Sequence, residues 1–468
     1  MVVGAGAAGS LCALHLARTA CARSATLDVL LVDPAPRRAR GAAFGTSDPR
    51  HLLNVPASGM SALPEDLGHF VSWRARQEHT PPDPGAFASR CQFAHYLDET
   101  LAEAEASTAG LVSLRHVRDR AAAVRRTSDR TTVGTGAGLE IAADAVVVAT
   151  GLPQVGNDWA PADLRVSERF LDDPWATGVL DRVGRDHGGL PDVLVVGTGL
   201  TMVDVVLSVC GPGERGDRRL HAVSRRGRLP KPHSAMGKVA VVPDVSGWGH
   251  SLAELRREVS QHLTSVARAT GDWRPAMDGL RSLASVLWDR LDEADRAEFL
   301  ARDAGAWNVA RHRMAPSSGV ALGALREAGR LHVAAAEVVG AEPLAAGGLR
   351  VRLSDGSRRD VGWVVNCTGP RADIRELGNP LLDDLLRPRP GGALATVATG
   401  GMGFRTERGR LVDGSGRTGA PLWTLGALRR GELWESTAVP EIRSQALALA
   451  TSVLDAVALR PGLVEAVP

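Results

Sequence analysis

Lysine is almost absent from this chain of 468 residues: Lys231 and Lys238 are the only two, so arginine supplies nearly all of the 55 basic side chains. The 53 acidic side chains reduce the balance to +2, which gives no electrostatic reason to expect nucleic acid or a membrane as a partner. We read the arginine excess, together with 52 glycines and abundant alanine, as codon bias of a GC-rich genome and not as a binding patch. Cysteine is also scarce. Cys12, Cys21, Cys91, Cys210 and Cys367 are odd in number, scattered and free of any C-x-x-C pair. That excludes a thioredoxin-like dithiol, a zinc ribbon or a secreted disulfide framework, and no metal site is expected. Cys91 and Cys367 read as small buried hydrophobes. Long apolar runs are missing: the best candidate, Val193 to Cys210, is broken by Gly197, Gly199 and Asp204. No basic stretch followed by an apolar one opens the chain, so the expectation is a soluble cytoplasmic protein.

At roughly 100–200 residues per domain, the length suggests about three domains. Val2-Val3 is followed by Gly4-x-Gly6-x-x-Gly9 and a helical stretch to about Arg18; a second strand, Leu27 to Val32, then ends on Asp33. This is the grammar of a βαβ mononucleotide-binding unit, although only Met1 to Val3 precede the first glycine. The grammar returns at Asp192 to Gly199, through a helical run with Val203, Val206 and Val209, to a strand at Leu220 to Val223. Two further apolar segments end alike, one on Thr150-Gly151 and one on Thr368-Gly369, as two nucleotide-binding lobes would produce. Helical spacing from about Ser251 to Asp303, with Trp273, Trp288 and nearby Trp307, predicts a helical insertion with its own core. The expected fold class is α/β, with two Rossmann-like dinucleotide-binding lobes. Residues 1–160 and 345–468 form the first lobe, and 161–344 form the second, with the insertion at about 250–325.

The glycines have mechanical roles. Gly4 permits the tight turn, Gly6 lets backbone amides approach a pyrophosphate and Gly9 lets helix and strand pack, while Asp33 stands where a ribose hydroxyl is bound. In the second unit Gly197 and Gly199 remain, Met202 replaces the third glycine, and no carboxylate follows the next strand. Ser224-Arg225-Arg226 stands there instead, a hydroxyl and two guanidiniums suited to the 2′-phosphate of NADP. The alternative for the two arginines is a solvated basic loop.

The chain resembles the bacterial FAD/NAD(P)-binding oxidoreductases related to the class B flavin monooxygenases, the group that contains amino-acid and amine N-hydroxylases. The resemblance is carried by His51-Leu52-Leu53-Asn54-Val55-Pro56 with Met60, by Arg90-x-x-Phe93-x-x-Tyr96, and by Gly197-Thr198-Gly199-Leu200-Thr201-Met202-Val203-Asp204. Ser224-Arg225-Arg226-Gly227-x-x-Pro230, Trp307 to Met314, Asn366-Cys367-Thr368-Gly369-Pro370 and Trp434-Glu435-x-Thr437-Ala438-Val439-Pro440-Glu441-Ile442-Arg443 continue it. It implies FAD in the first lobe, held by Gly4, Gly6, Gly9, Asp33, Asn54, Met60, Arg90, Thr150, Gly151, Gly369, Gly426, Trp434, Pro440, Glu441 and Ile442. It implies NADP in the second, held by Gly197, Gly199, Thr201, Ser224, Arg225 and Arg226.

Pro440 suits the first turn of a helix whose N-terminal amides would stabilise negative charge on reduced flavin; the plain alternative is a docking helix without a ligand. Asn54 is placed either to hydrogen-bond the isoalloxazine edge or reduced nicotinamide, or to cap its own loop. Met60 packs on the ring or in the core. Arg311-His312-Arg313 reads as a cationic wall for a substrate carboxylate or coenzyme phosphate, with His312 as an acid or base; Arg311, His312 and Asn54 are the candidate catalytic residues. The competing reading is a salt-bridge cluster with Asp292, Glu293 and Asp295 nearby in sequence. The expected activity is an NADPH-dependent FAD monooxygenase that oxygenates a small amine or amino acid through a C4a-peroxyflavin, with oxygen as co-substrate. An NAD(P)H:acceptor oxidoreductase or oxidase, or a non-catalytic nucleotide-binding module, are the alternatives.

Overall fold

The computed structural model describes residues 1–458 apart from 109, 128–129, 153–155, 187–188, 212–215, 217, 235–236 and 346. Its first sheet runs in the order Thr406–Glu407, Arg410–Leu411, Leu422–Thr424, Val146–Val148, Val2–Val3, Leu27–Val32, Val112–Val117. The last five of these are mutually parallel and nearly all β-branched or leucine at their buried positions, as strands covered on both faces require. One face is covered by the helices Ala7–Ala22, Arg90–Ser107 and Val439–Ala458; Leu381, Leu382 and Leu385 of Pro380–Leu386 belong to the other.

The second sheet is parallel throughout, in the order Leu331–Ala335, Leu220–Ser224, Val193–Val196, Trp363–Asn366, Phe170–Leu171. The two sheets repeat one device. Val2–Val3 lies between the strand that follows it and the one that ends at Thr150-Gly151; Val193–Val196 lies between its own successor and the strand that runs into Thr368-Gly369. At each centre the first glycine of the turn takes a positive φ, +102° at Gly4 and +108° at Gly197. A Cβ there would collide with the carbonyl of Ala149 in one lobe and of Cys367 in the other, so only glycine fits.

One boundary differs from the sequence expectation. The return to the first lobe was placed at 345, yet Trp363–Asn366 pairs in register with Val193–Val196, so the second lobe extends past it. The hairpin strands Val338–Pro343, Leu349–Leu353 and Arg358–Val361 form a separate antiparallel sheet that packs against the second lobe through Val351, Val361 and Leu353. Alternation of period two marks strands but not the sheet they join. The helical insertion spans Leu252–Thr270, Arg274–Arg281, Ala284–Asp289, Glu293–Arg302 and Ala304–Arg311, followed by Pro316–Glu327. Its core around Leu280, Leu287 and Trp288 is completed by Met402 and Trp434 from the C-terminal third of the chain. Among the described residues no helix is long and apolar enough to cross a membrane.

Candidate active site at the junction of the lobes

The first glycine turn is built as a phosphate cradle. A Cβ on Gly9 would overlap the carbonyl oxygen of Gly4, so the helix Ala7–Ala22 starts directly against the strand. Gly6, its N-cap residue, provides no side-chain cap, which leaves the first-turn amides without a side-chain acceptor. Asp33 ends the second strand as expected, and its carboxylate accepts from the amides of Ala5 (2.7 Å) and Ala35 (2.8 Å). It therefore also braces the turn. Gly41, missed by the sequence reading, has a φ of +60° and faces Gly6 across the turn; its signal was only one more glycine in a glycine-rich chain. Gly426, at φ +70°, lies beside Ala8 and Ile442, so the C-terminal segment reaches the same turn. These features suit a dinucleotide with a pyrophosphate, and Gly199 leaves the helix Leu200–Val209 uncapped in the same way in the second lobe.

Ser224 is partly committed to its own turn, with its hydroxyl 2.8 Å from Thr198 Oγ1 and accepting from Gly227 N at 3.0 Å. Arg225 and Arg226 are exposed and make no ion pair among the described residues. Two uncommitted guanidiniums therefore flank the end of that strand. Thr201 lies in the first turn of the helix Leu200–Val209, and Gly369 at the end of the second sheet.

The lobes are locked together by polar contacts. Arg90 Nη2 donates to Asp204 Oδ2 at 2.5 Å, tying the side chain expected on the cofactor to the second lobe. His51 Nδ1 accepts from Thr46 Oγ1 at 2.7 Å, while His51 Nε2 donates to Ser208 Oγ at 2.7 Å, because Ser208 itself donates to Asp48 (2.6 Å). That chain fixes a neutral imidazole, and burial holds its pKa down to about 4. His233 Nε2 donates to the backbone carbonyl of Asn54 at 2.9 Å, and burial followed by the nearby Arg313 depresses its pKa to about 4 as well. Met60 is 2% exposed and packs in the first-lobe core, which favours the packing reading over a ring contact.

Arg311, His312, Arg313, Trp434 and Glu441 are brought together, with several residues that the sequence reading did not single out. Arg281 grips Glu441 through both Nε and Nη2 (2.5 and 2.7 Å), tying the insertion to the first turn of Val439–Ala458. Arg443 donates to the carbonyl of Ser61 at 2.9 Å, next to Met60. Glu435 accepts from Trp307 Nε1 at 2.8 Å and lies 3.7 Å from Arg311 Nε; Asp278 pairs with Arg313. The acids that serve the arginine cluster are thus Glu435 and Asp278. Asp292, Glu293 and Asp295 are occupied elsewhere: Asp292 caps its own helix, Glu293 accepts from Thr399 and Asp295 from Leu252 N. His312 lies among these guanidiniums. Burial, then Arg311, Arg430 and Arg281, depress its pKa to about 3, which favours the neutral imidazole with one ring N–H and one acceptor nitrogen.

Trp434 has an unusual backbone for a non-glycine residue, φ +58° with ψ −58°. Its ring stacks on Trp288 at 5.3 Å and meets Phe299 edge-on at 5.0 Å, while its indole N–H finds no acceptor. A strained residue with an unused donor is a feature of functional sites and not of plain packing. Pro440 and Ile442 sit in the first turn of Val439–Ala458, Ile442 buried against Gly426. Thr150 and Gly151 end the strand beside Val2–Val3.

Comparison with known proteins agrees with this construction. Residues 1–153 match a protein family described as FAD-NAD(P)-binding. No curated protein sequence matches the chain. Among solved structures, an ornithine hydroxylase from Pseudomonas aeruginosa in its reduced form is similar over 97% of this chain and 98% of its own (TM-score 0.61, 14% identity). An ornithine N-hydroxylase from Kutzneria sp. 744, with reduced FAD, NADP+ and L-ornithine, covers the same shares (TM-score 0.59, 18% identity). An L-lysine 6-monooxygenase from Pseudomonas syringae does likewise (TM-score 0.60, 17% identity). The chain shares the two-lobed α/β fold of these proteins over 97% of its length.

Proposed function

We propose that this chain is an NADPH-dependent FAD monooxygenase acting on a small amine or amino acid. The observation that carries the reading is the repeated turn: two sheets with parallel centres, each with a glycine that admits no side chain and an uncapped helix behind it. One dinucleotide per turn accounts for both halves, and two exposed guanidiniums at Arg225 and Arg226 favour the phosphorylated coenzyme in the second.

Bound FAD would accept hydride from NADPH and activate oxygen, with NADPH, oxygen, the amine and a proton giving NADP+, water and the hydroxylamine. The chain's own residues bind, orient and exclude water. Gly4, Gly6, Gly9 and Gly426 would take the FAD pyrophosphate region, and the helix beginning at Val439 would direct its positive end at the flavin. The pair Arg281–Glu441 fixes that helix end against the insertion. His233 holds Asn54 through its carbonyl, and the network of Asp48, His51 and Ser208 keeps the two lobes in one relative position. His312, as the neutral imidazole, could accept a proton at one ring nitrogen and donate a hydrogen bond from the other. The test is simple: the purified protein should be yellow, be bleached by NADPH without oxygen, and consume NADPH with little free peroxide when its substrate is present. Reoxidation with stoichiometric peroxide under every substrate offered would instead favour an oxidase or acceptor reductase.

A further inference from the structure

Among the described residues, seven buried side-chain nitrogen or oxygen atoms lack a hydrogen-bond partner, and six of them belong to Asn308, Arg311, Arg313, Trp434 and Ser436. A buried polar atom without a partner costs roughly 1–3 kcal/mol, so their concentration on two touching segments marks a surface shaped for a ligand. Arg311 is the most informative. It is 4% exposed, and its orphaned atoms are Nε and Nη2, the two donors of one edge of the guanidinium. The same edge of Arg281 holds the Glu441 carboxylate in a bidentate grip, which shows what that edge is made for. Glu435 Oε2 lies 3.7 Å from Arg311 Nε, a charge contact too long for a hydrogen bond, while Glu435 Oε1 accepts from Trp307 Nε1.

The local charge leans one way. Arg281, Arg311, Arg313, Arg430 and Arg443 face Asp278, Glu435 and Glu441, with the mutually paired Arg274 and Asp272 beside Arg313, while burial favours neutral His233 and His312. Burial lowers the pKa of Arg430 and of Arg443, the signature of cations that lack full compensation. The coenzyme phosphates have their own places at the two glycine turns and at Arg225-Arg226, so this surplus is left for the substrate. A diamine would bring a second ammonium into it and be repelled.

We propose that the site selects an anionic amine, an amino acid whose far end carries a carboxylate, and that Arg311 receives that carboxylate through its Nε–Nη2 edge. This rests on the flavin monooxygenase reading and names its substrate class. The test titrates the FAD-loaded protein with L-aspartate, L-glutamate, L-ornithine and cadaverine, following tryptophan fluorescence from Trp307 and Trp434 for binding and NADPH oxidation for turnover. One of the acidic amino acids should bind at least about tenfold more tightly than either cationic probe. Arg311→Met should weaken that binding by about tenfold to a hundredfold with FAD content retained, and Arg311→Lys should recover part of it. Tighter binding of ornithine or cadaverine, no binding of either acidic probe, or an Arg311→Met protein with unchanged affinity overturns the proposal. If Arg311→Met does not fold, Arg430→Gln must still shift the preference toward the cationic probes, and an unchanged preference overturns it too. A protein without flavin absorbance, or one that NADPH does not bleach, fails the underlying reading instead, so the two failures are distinguishable.

Discussion

Acidification should loosen this protein through His51, and the size of the effect follows from its surroundings. The ring is 2% exposed, and both of its nitrogens are used by Thr46 and Ser208 in the neutral state, so protonation would break the acceptor bond at Nδ1 and place a charge between the lobes. Burial depresses the folded pKa to about 4, whereas an unfolded histidine titrates near 6.5. A depressed folded pKa contributes stability that is complete above about pH 6.5 and is lost as pH falls toward 4. Between pH 7.5 and pH 5 one such group should cost about 2 kcal/mol, at 1.36 kcal/mol for each unit over which only the unfolded chain binds the proton. His15, 1% exposed, with its Nε2 donating to Ala62 and its pKa also held at about 4 by burial, should add a similar amount. Urea unfolding of the parent and of His51→Gln at both pH values isolates the term: the variant should lose about 2 kcal/mol less than the parent on acidification. Equal losses in the two proteins would refute the reasoning, whatever their absolute stabilities.

Three further outcomes follow. Gly6 is the one glycine of the first turn whose added Cβ meets only ordinary contact, with Gly41 at 3.5 Å, so Gly6→Val should fold yet lose FAD, whereas Gly9→Ala should disrupt the lobe; absorbance and circular dichroism separate these, and a folded Gly6→Val protein with full FAD contradicts the cradle. Arg225→Ala should reduce the preference for NADPH over NADH by about tenfold to a hundredfold, the scale of one or two charged hydrogen bonds, as read from the ratio of kcat/KM values. Arg281→Met leaves Glu441 unpaired and should lower stability by about 2–3 kcal/mol, with partial recovery in the Arg281→Met/Glu441→Gln double variant, measured by thermal melting.

What was legible in the sequence was what local sterics enforce. Gly4 and Gly197 announce themselves because each needs a positive φ against a neighbouring carbonyl, and the apolar strands around them are continuous because both faces are covered. Thr150-Gly151 and Thr368-Gly369 were recognisable as a pair for the same reason, but the sheet to which the second belongs was not, since alternation is blind to pairing partners. Arg311 was found through a motif, and Arg443 stood in another without a role; Arg281 and Arg430 were not found, because each lies on an ordinary helical stretch and gains its meaning only when the insertion folds onto the C-terminal segment. Nearness in sequence misled twice. It offered Asp292, Glu293 and Asp295 as partners for the arginines that Glu435 and Asp278 serve, and it gave His312 its ordinary pKa when burial and the neighbouring guanidiniums push it down. Arg90 belonged to a recognisable motif, yet its partner Asp204 lies in the other lobe, out of reach of any local pattern.

The central claim is that the two lobes together pass electrons from NADPH through a flavin to oxygen and on to an amine. Its most direct measurement is a single-turnover experiment: protein reduced anaerobically with one equivalent of NADPH, mixed with isotopically labelled oxygen and an amino acid or amine panel, and analysed by mass spectrometry. The amine product should carry one labelled oxygen atom, with little free peroxide. Complete reoxidation to hydrogen peroxide with every amine unlabelled, or no reduction by NADPH at all, would contradict it.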